Sequence, residues 1–343
     1  MNFYELVTAE NISEYWVAIN AETNPSFGST LFPFTKEIGL KLEWIRGANN
    51  QPVSLKLSSF DAKAIRRDGE SFEKLTTTMP FFKESVYIDE DRRQQLLTMI
   101  QTNNVQLVNS IVEKIFTDEI KLIRAAYISL ERMRMQALTT GNITIASNGQ
   151  GYSYDYGMPL ENKKEVAVSW STATADIIGE LNSYKEFMKA KGTNITRGVC
   201  NSTVAKTFLT NTAMKNAIYV FAGGTVNLNI NTALSFIEAN TGISIYVNDE
   251  VYVNEDKTVS KYVPDNTLSL FPDGDLGYTH FGTTPEEADL MSSAIANVTL
   301  VENAIAITTT KETDPVNVVT KVSMVALPSF ERANEVMIID TVK

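Results

Sequence analysis

Histidine and cysteine are almost missing from this chain: of 343 residues, one is a cysteine, Cys200, and one a histidine, His280. A single thiol cannot close an intramolecular disulfide, so a disulfide-stapled secreted scaffold is excluded and folding in a reducing compartment fits. Cys200 and His280 stand far apart in sequence, so there is no clustered soft-ligand motif for zinc. A histidine-based catalytic dyad would have to be built from His280 alone. The G-x-S-x-G elbow, the P-loop and the dinucleotide fingerprint are all absent, and Gly223-Gly224 reads as a flexible turn. Basic residues are also short: 30 Lys and Arg face 41 Asp and Glu, for a net charge of −11. Binding to phosphates rests on Lys and Arg releasing counterions, so specific nucleic-acid recognition is disfavoured. The same charge suits a wall that lies near nucleic acid without sticking to it. No uninterrupted apolar run is long enough to cross a membrane. Residues 1–23 carry Glu5, Glu10, Glu14 and Glu22 without a basic leader and do not read as a signal peptide. Internal repeats, heptads and low-complexity stretches are lacking.

What is present is ordinary globular text, 43% hydrophobic and 21% charged, enough to bury a sizeable core. Residues 1 to about 44 mix short apolar clusters with turn formers such as Asn24-Pro25 and Gly28, and read as a poorly regular arm. Val53, Leu55 and Leu57 alternate with Ser54, Lys56 and Ser58, the period-two mark of a half-buried strand. Residues 60–73 have a charged middle, with Lys63, Arg66, Arg67 and Glu70 around the turn former Asp68-Gly69, and read as a long projecting hairpin that returns through 76–80 and 86–88. Helical text starts at Asp89, an N-cap, with Glu90 and Asp91 suiting the positive end of the helix dipole. From Ile120 the apolar residues become regular: Ile120, Ile123, Tyr127, Leu130, Met133 and Ala137 share one helical face, and Gly141 is the stop. Lys121, Arg124, Glu131, Arg132 and Arg134 are expected on the opposite, polar face.

Residues 142–155 read as a hairpin turning at Asn148-Gly149. Helical patterning at 175–189, 202–217 and 232–240 then alternates with strands at 243–247 and 251–253, which suggests a compact α+β lobe. Alternation returns at 316–326 and 336–339. The acidic clusters Asp89-Glu90-Asp91, Glu255-Asp256 and Glu286-Glu287 could hold a hard cation or act as an acid/base pair, as in a metal-dependent hydrolase. Helix starts and solvated turns favour the same residues, and no helix presents paired ligands beside a nucleophile.

Three stretches carry a resemblance. They are Arg132-Met133-Arg134-Met135-Gln136-Ala137-Leu138-Thr139-Thr140-Gly141; Ile243-Ser244-Ile245-Tyr246-Val247-Asn248-Asp249 through Tyr262-Val263-Pro264-Asp265-Asn266; and Gly277-Tyr278-Thr279-His280-Phe281-Gly282-Thr283-Thr284-Pro285-Glu286-Glu287. Leu31-Phe32-Pro33 and Leu327-Pro328 add to them. In this order over nearly the whole chain they resemble the lambda-like phage major head proteins, the capsid protein E family. Glu331-Arg332-Ala333-Asn334 lacks a proline that the family pattern has, and 190–231 matches none of its motifs.

The resemblance implies an α+β HK97-type capsid fold: an N-terminal arm (1–45), an extended loop (46–86), a peripheral domain (87–165) with a spine helix from about 118 to 140, an axial domain (166–297), and C-terminal strands (298–343) completing the last two. It implies a structural shell protein of a tailed bacteriophage, found in the virion and assembled in the host bacterial cytoplasm. Its partners would be further copies of itself as hexamers and pentamers, the scaffolding, portal and decoration proteins, and packaged double-stranded DNA in non-specific proximity, with no membrane. No catalytic residue, cofactor or metal comes with it. Lys63, Arg66, Arg67, Asp68, Glu70, Arg124, Arg132 and Arg134 are the expected subunit-interface residues. An encapsulin-like compartment shell, which shares the fold but encloses an enzyme, is the alternative.

Overall fold

The computed structural model describes residues 7–20, 25–46, 73–88, 90–101, 105–147, 149–219, 228–291, 295–313 and 316–343. It divides into two compact units: Met1–Glu43 with Thr76–Arg134 and Tyr278–Ser329, and Trp44–Leu75 with Met135–Gly277 and Phe330–Lys343. The strand expected at 53–57 and residues 60–72 of the expected hairpin lie outside the described residues, in the sequence between the paired strands Lys41–Arg46 and Glu73–Thr78.

The first unit is organised by strand Val316–Pro328. It pairs antiparallel with Ile305–Thr313 and Phe81–Tyr87, and through its last residues with Thr279–Phe281. Ala296–Val301 extends the sheet beyond Ile305–Thr313, and Phe34–Lys36 extends it parallel to Thr279–Phe281. Both faces of the long strand are covered: Val318, Val322 and Met324 are buried on one side, Ser323 and Val325 on the other. Residues 9–20 overturn the expectation of an irregular arm. Ala9–Asn20 is a helix, because Ala9, Ile12 and Trp16 recur at helical spacing and all three are buried. The Trp16 ring stacks on Tyr127 at 5.4 Å, and the Ala9 N–H donates to the Asn297 side chain at 2.9 Å, so this segment folds onto its own unit.

The long helix runs from Val105 to Thr140, 36 residues, and so begins earlier than the expected residue 118. Neither glycine nor proline interrupts the stretch, so the irregular apolar spacing before Ile120 weakens the amphipathic pattern without breaking the helix. Ile120, Ile123, Leu130, Met133 and Ala137 are buried, as their spacing predicts. The polar face needs correction: Glu131 and Arg134 are buried, not exposed. Gly141 ends the helix at φ +77°, its N–H donating to the Ala137 carbonyl.

In the second unit a five-stranded sheet has the order Lys163–Glu165, Met337–Asp340, Thr267–Phe271, Arg197–Cys200, Ser244–Val247. Helices Ile177–Ala190, Ser202–Thr210, Thr212–Ile218 and Ile230–Thr241 contribute Ile177, Leu181, Val204, Phe208, Met214 and Ile237 to a core that includes Leu268, Leu270 and Ile339. The single helix expected at 202–217 is two. Asn211 is fully buried between them, caps the second through the Met214 N–H and donates to the Ala175 carbonyl at 2.7 Å, an arrangement a continuous helix could not satisfy. Two separate ribbons complete the unit: Asn142–Ser147 with Gln150–Asp155, as expected, and Val251–Val253 with Val259–Lys261.

Candidate functional site

The groups able to do chemistry are spent on structure. His280 stands between a carboxylate and a hydroxyl, with Nδ1 3.2 Å from Glu37 Oε1 and Nε2 3.2 Å from Ser329 Oγ, the order of a nucleophilic triad. Ser329, however, is fully buried, and its hydroxyl accepts from the Tyr278 N–H at 3.0 Å and donates to the Tyr278 carbonyl at 3.2 Å. No substrate carbonyl could reach that oxygen. Burial depresses the His280 pKa, with Glu37 opposing, so the imidazole is held neutral. Cys200 is also sealed in; burial pushes its thiol up to about 12 and Asp249 adds to the rise, so it supplies no thiolate.

The acidic clusters have partners as well. Glu286 meets Lys321 Nζ at 2.5 Å and the Ser323 hydroxyl at 2.9 Å, and Glu287 meets Lys36 at 2.7 Å. Glu90 takes Arg93, Glu255 takes the Ser147 hydroxyl, and Asp256 closes a turn on Thr258. Asp89 lies outside the described residues. Among the described residues no group of three or more His, Cys, Asp or Glu could hold a metal ion, and no helix is long and apolar enough to cross a membrane.

What remains is surface. Of the charged interface candidates, Lys63, Arg66, Arg67, Asp68 and Glu70 lie outside the described residues. Arg124 is exposed on the long helix and Arg132 is half-buried. Arg134 is turned inward: its Nε–H donates to Thr279 Oγ1 at 2.8 Å and its Nη1 lies 3.5 Å from Glu131 Oε2. Glu131 in turn accepts from the Ser26 hydroxyl and the Gly28 N–H, both at 2.6 Å. Burial lowers the Arg134 pKa and Glu131 counters it. Arg134 is thus buried within the first unit, on Thr279 and beside Glu131, and it is Glu131 that holds the segment around Gly28.

Sequence reasoning missed two apolar features. Ile38 is 98% exposed although its turn is fixed, since the Gly39 carbonyl accepts from the Thr283 N–H at 3.2 Å and the Gly39 N–H donates to the Thr283 hydroxyl at 3.3 Å. In the ribbon of the second unit, Val253 and Val259 are exposed cross-strand partners, and Val251 on the same face is exposed opposite Lys261. The alternation of Val251, Tyr252 and Val253 carried a signal for that face; Ile38, one residue in a turn, carried none.

A family model described as phage major capsid protein E matches residues 8–341. A comparison with curated proteins gives no match. Among solved structures, a protein assigned as the capsid protein of a prophage in E. coli CFT073 is 15% identical with a TM-score of 0.63, over 97% of this chain and 99% of that one. A phage-related protein from Bordetella bronchiseptica RB50 is 10% identical with a TM-score of 0.56, over 98% of this chain and 97% of that one. At such identities the likeness establishes the fold, the HK97-type capsid architecture of mixed helix and strand. With its match spanning all but the ends of the sequence, the chain belongs to the phage major capsid protein E family.

Proposed function

We propose that the chain is the major capsid protein of a tailed bacteriophage, which self-assembles into the icosahedral head shell enclosing packaged double-stranded DNA. The family match over residues 8–341 carries this reading, and the fate of the reactive groups supports it: the imidazole and the thiol are buried, and Glu90, Glu255, Asp256, Glu286 and Glu287 are paired. A structural protein without enzymatic activity, cofactor or metal is the consequence. The subunits form hexamers and pentamers, meet scaffolding, portal and decoration proteins, and assemble in the host cytoplasm before ending in the virion.

Residues 1–45 serve as the arm, 46–86 as the extended loop, 87–165 as the peripheral domain, 166–297 as the axial domain, and 298–343 complete the last two. The loop tip, with Lys63, Arg66, Arg67, Asp68 and Glu70, meets opposite charges on an adjacent subunit. Exposed Arg124 and half-buried Arg132 are the further charged contacts, and Ile38 and the Val251–Val253 ribbon supply apolar ones. A wall carrying −11 per subunit faces DNA without trapping it.

Negative-stain electron microscopy of the purified full chain tests the reading. Closed shells or capsomers of uniform size are expected, and a monodisperse monomer over a wide range of concentration and salt would overturn it. Particles from infected cells should contain nuclease-protected DNA; a protein cargo in place of DNA would move the reading to an enzyme compartment.

A further inference from the structure

We propose that Glu119 is a proton-linked latch, a buried neutral acid that holds the long helix on the six-stranded sheet and loosens that contact when it ionises. Glu119 is 1% exposed. Its Oε1 accepts from the Thr320 hydroxyl at 2.7 Å, which ties helix Val105–Thr140 to the central strand Val316–Pro328. Its other oxygen is buried and, among the described residues, has no hydrogen-bond partner. Glu131, three turns further along the same helix, shows what a buried carboxylate requires: it has the Ser26 hydroxyl, the Gly28 N–H and Arg134 around it. One neutral hydroxyl is a poor replacement for water around a full negative charge, whereas a protonated carboxyl needs little more.

The charged groups on the elements around Glu119 do not change this. Asp118, next to it, is paired with Lys121 at 2.6 Å. On the face of the sheet that carries Thr320, Glu84 stands opposite Val322 and Lys311 opposite Val318, both exposed. Helix Ala9–Asn20, whose Tyr15 lies against Phe116, offers only exposed Glu10 and Glu14. Among the described residues no lysine or arginine forms an ion pair with Glu119, and the charge that acts on it is the anionic Asp118. Burial pushes the carboxyl up to about 7 from an ordinary 4.5; the Thr320 hydroxyl pulls it back in part and Asp118 adds to the rise.

The folded chain therefore holds this proton more tightly than the unfolded chain does. The stabilisation is complete below about 4.5 and is lost as pH rises through about 7, so the helix contact is weakest above neutral pH. A latch of this kind couples the helix to proton activity with one residue, independently of how the subunits meet.

The test compares thermal melting of the full chain, assembled as it purifies, for wild type and Glu119→Gln at about pH 5 and about pH 8. Glutamine keeps the acceptor for Thr320 and cannot ionise. The variant should melt with the wild type near pH 5 and above it near pH 8, by about 2 °C or more. An equal gap at both pH values would overturn the proposal. Thr320→Val serves where the first variant fails to fold: it removes the Thr320 donor and should extend the pH-dependent loss to higher pH, and a profile superposing on the wild type would also refute the latch.

Discussion

At the scale of single residues the buried polar groups of the first unit decide most. Arg134 and Glu131 form an internal pair with satisfied hydrogen bonds, so removing one member strands the other in a dry site. Arg134→Met should destabilise the chain by about 3–5 kcal/mol, the usual cost of breaking a buried pair, whereas an exposed pair is worth about 0–1 kcal/mol. Urea denaturation of the variant checks this, and Arg124→Met, at an exposed position, is the control expected to stay near the wild type. His280 gives a pH dependence of the opposite sign to Glu119. Its folded-state pKa lies below the ordinary 6.5, so its contribution is present above about 6.5 and is lost as pH falls, when the unfolded chain takes up the proton first. His280→Gln should therefore flatten the acid side of the melting profile, and a variant retaining the full acid loss would place that loss on other groups.

At the scale of elements, the C-terminal half of the long helix, its glycine stop, the hairpin that follows and the terminal strands were legible because period and punctuation agreed there. Gly141 is the sharpest case. It holds φ +77°, and a Cβ at this position would come within 3.2 Å of Met158 Cβ. Gly141→Ala should cost at least about 1–2 kcal/mol from the left-handed backbone alone, measurable as a lowered denaturation midpoint with an unchanged slope. The misreadings have physical causes as well. Helix Ala9–Asn20 was hidden because three buried residues, one of them the small Ala9, make a short stripe in text rich in turn formers. Glu131 and Arg134 were placed on the solvent face by charge alone. Their partners, Gly28 and Thr279, lie 103 and 145 residues away, which no local pattern can show. Strand Arg197–Cys200 was missed because four residues buried or half-buried throughout give no alternation to read. Of the interface candidates, the sequence marked charge but could not tell an exposed Arg124 from an inward Arg134.

For the whole molecule the governing quantity is charge in an assembly of many identical copies. Each subunit carries −11, so approaching copies repel one another, and the repulsion reaches about 30 Å at 0.01 M salt but only about 3 Å at 1 M. Against that background the stretch from 56 to 67 is locally basic, with Lys56, Lys63, Arg66 and Arg67 against Asp61, before Asp68 and Glu70 bring acidic charge to the same tip. On the proposed shell reading, a basic stretch on an acidic subunit would have attractive surface to meet on every neighbour, and a closed symmetric shell would repeat that contact at each equivalent position. One exposed pair contributes only about 0–1 kcal/mol, so its loss would be hard to see in an isolated subunit, but assembly multiplies it. Reversing Arg66 and Arg67 to Glu should therefore raise the protein concentration at which shells form in about 0.01 M salt. Screening should close the gap between variant and wild type by about 1 M. Light scattering across a salt series reads both thresholds. Equal thresholds at low salt would mean that these arginines end in a solvated turn and that the shell is held by its apolar contacts.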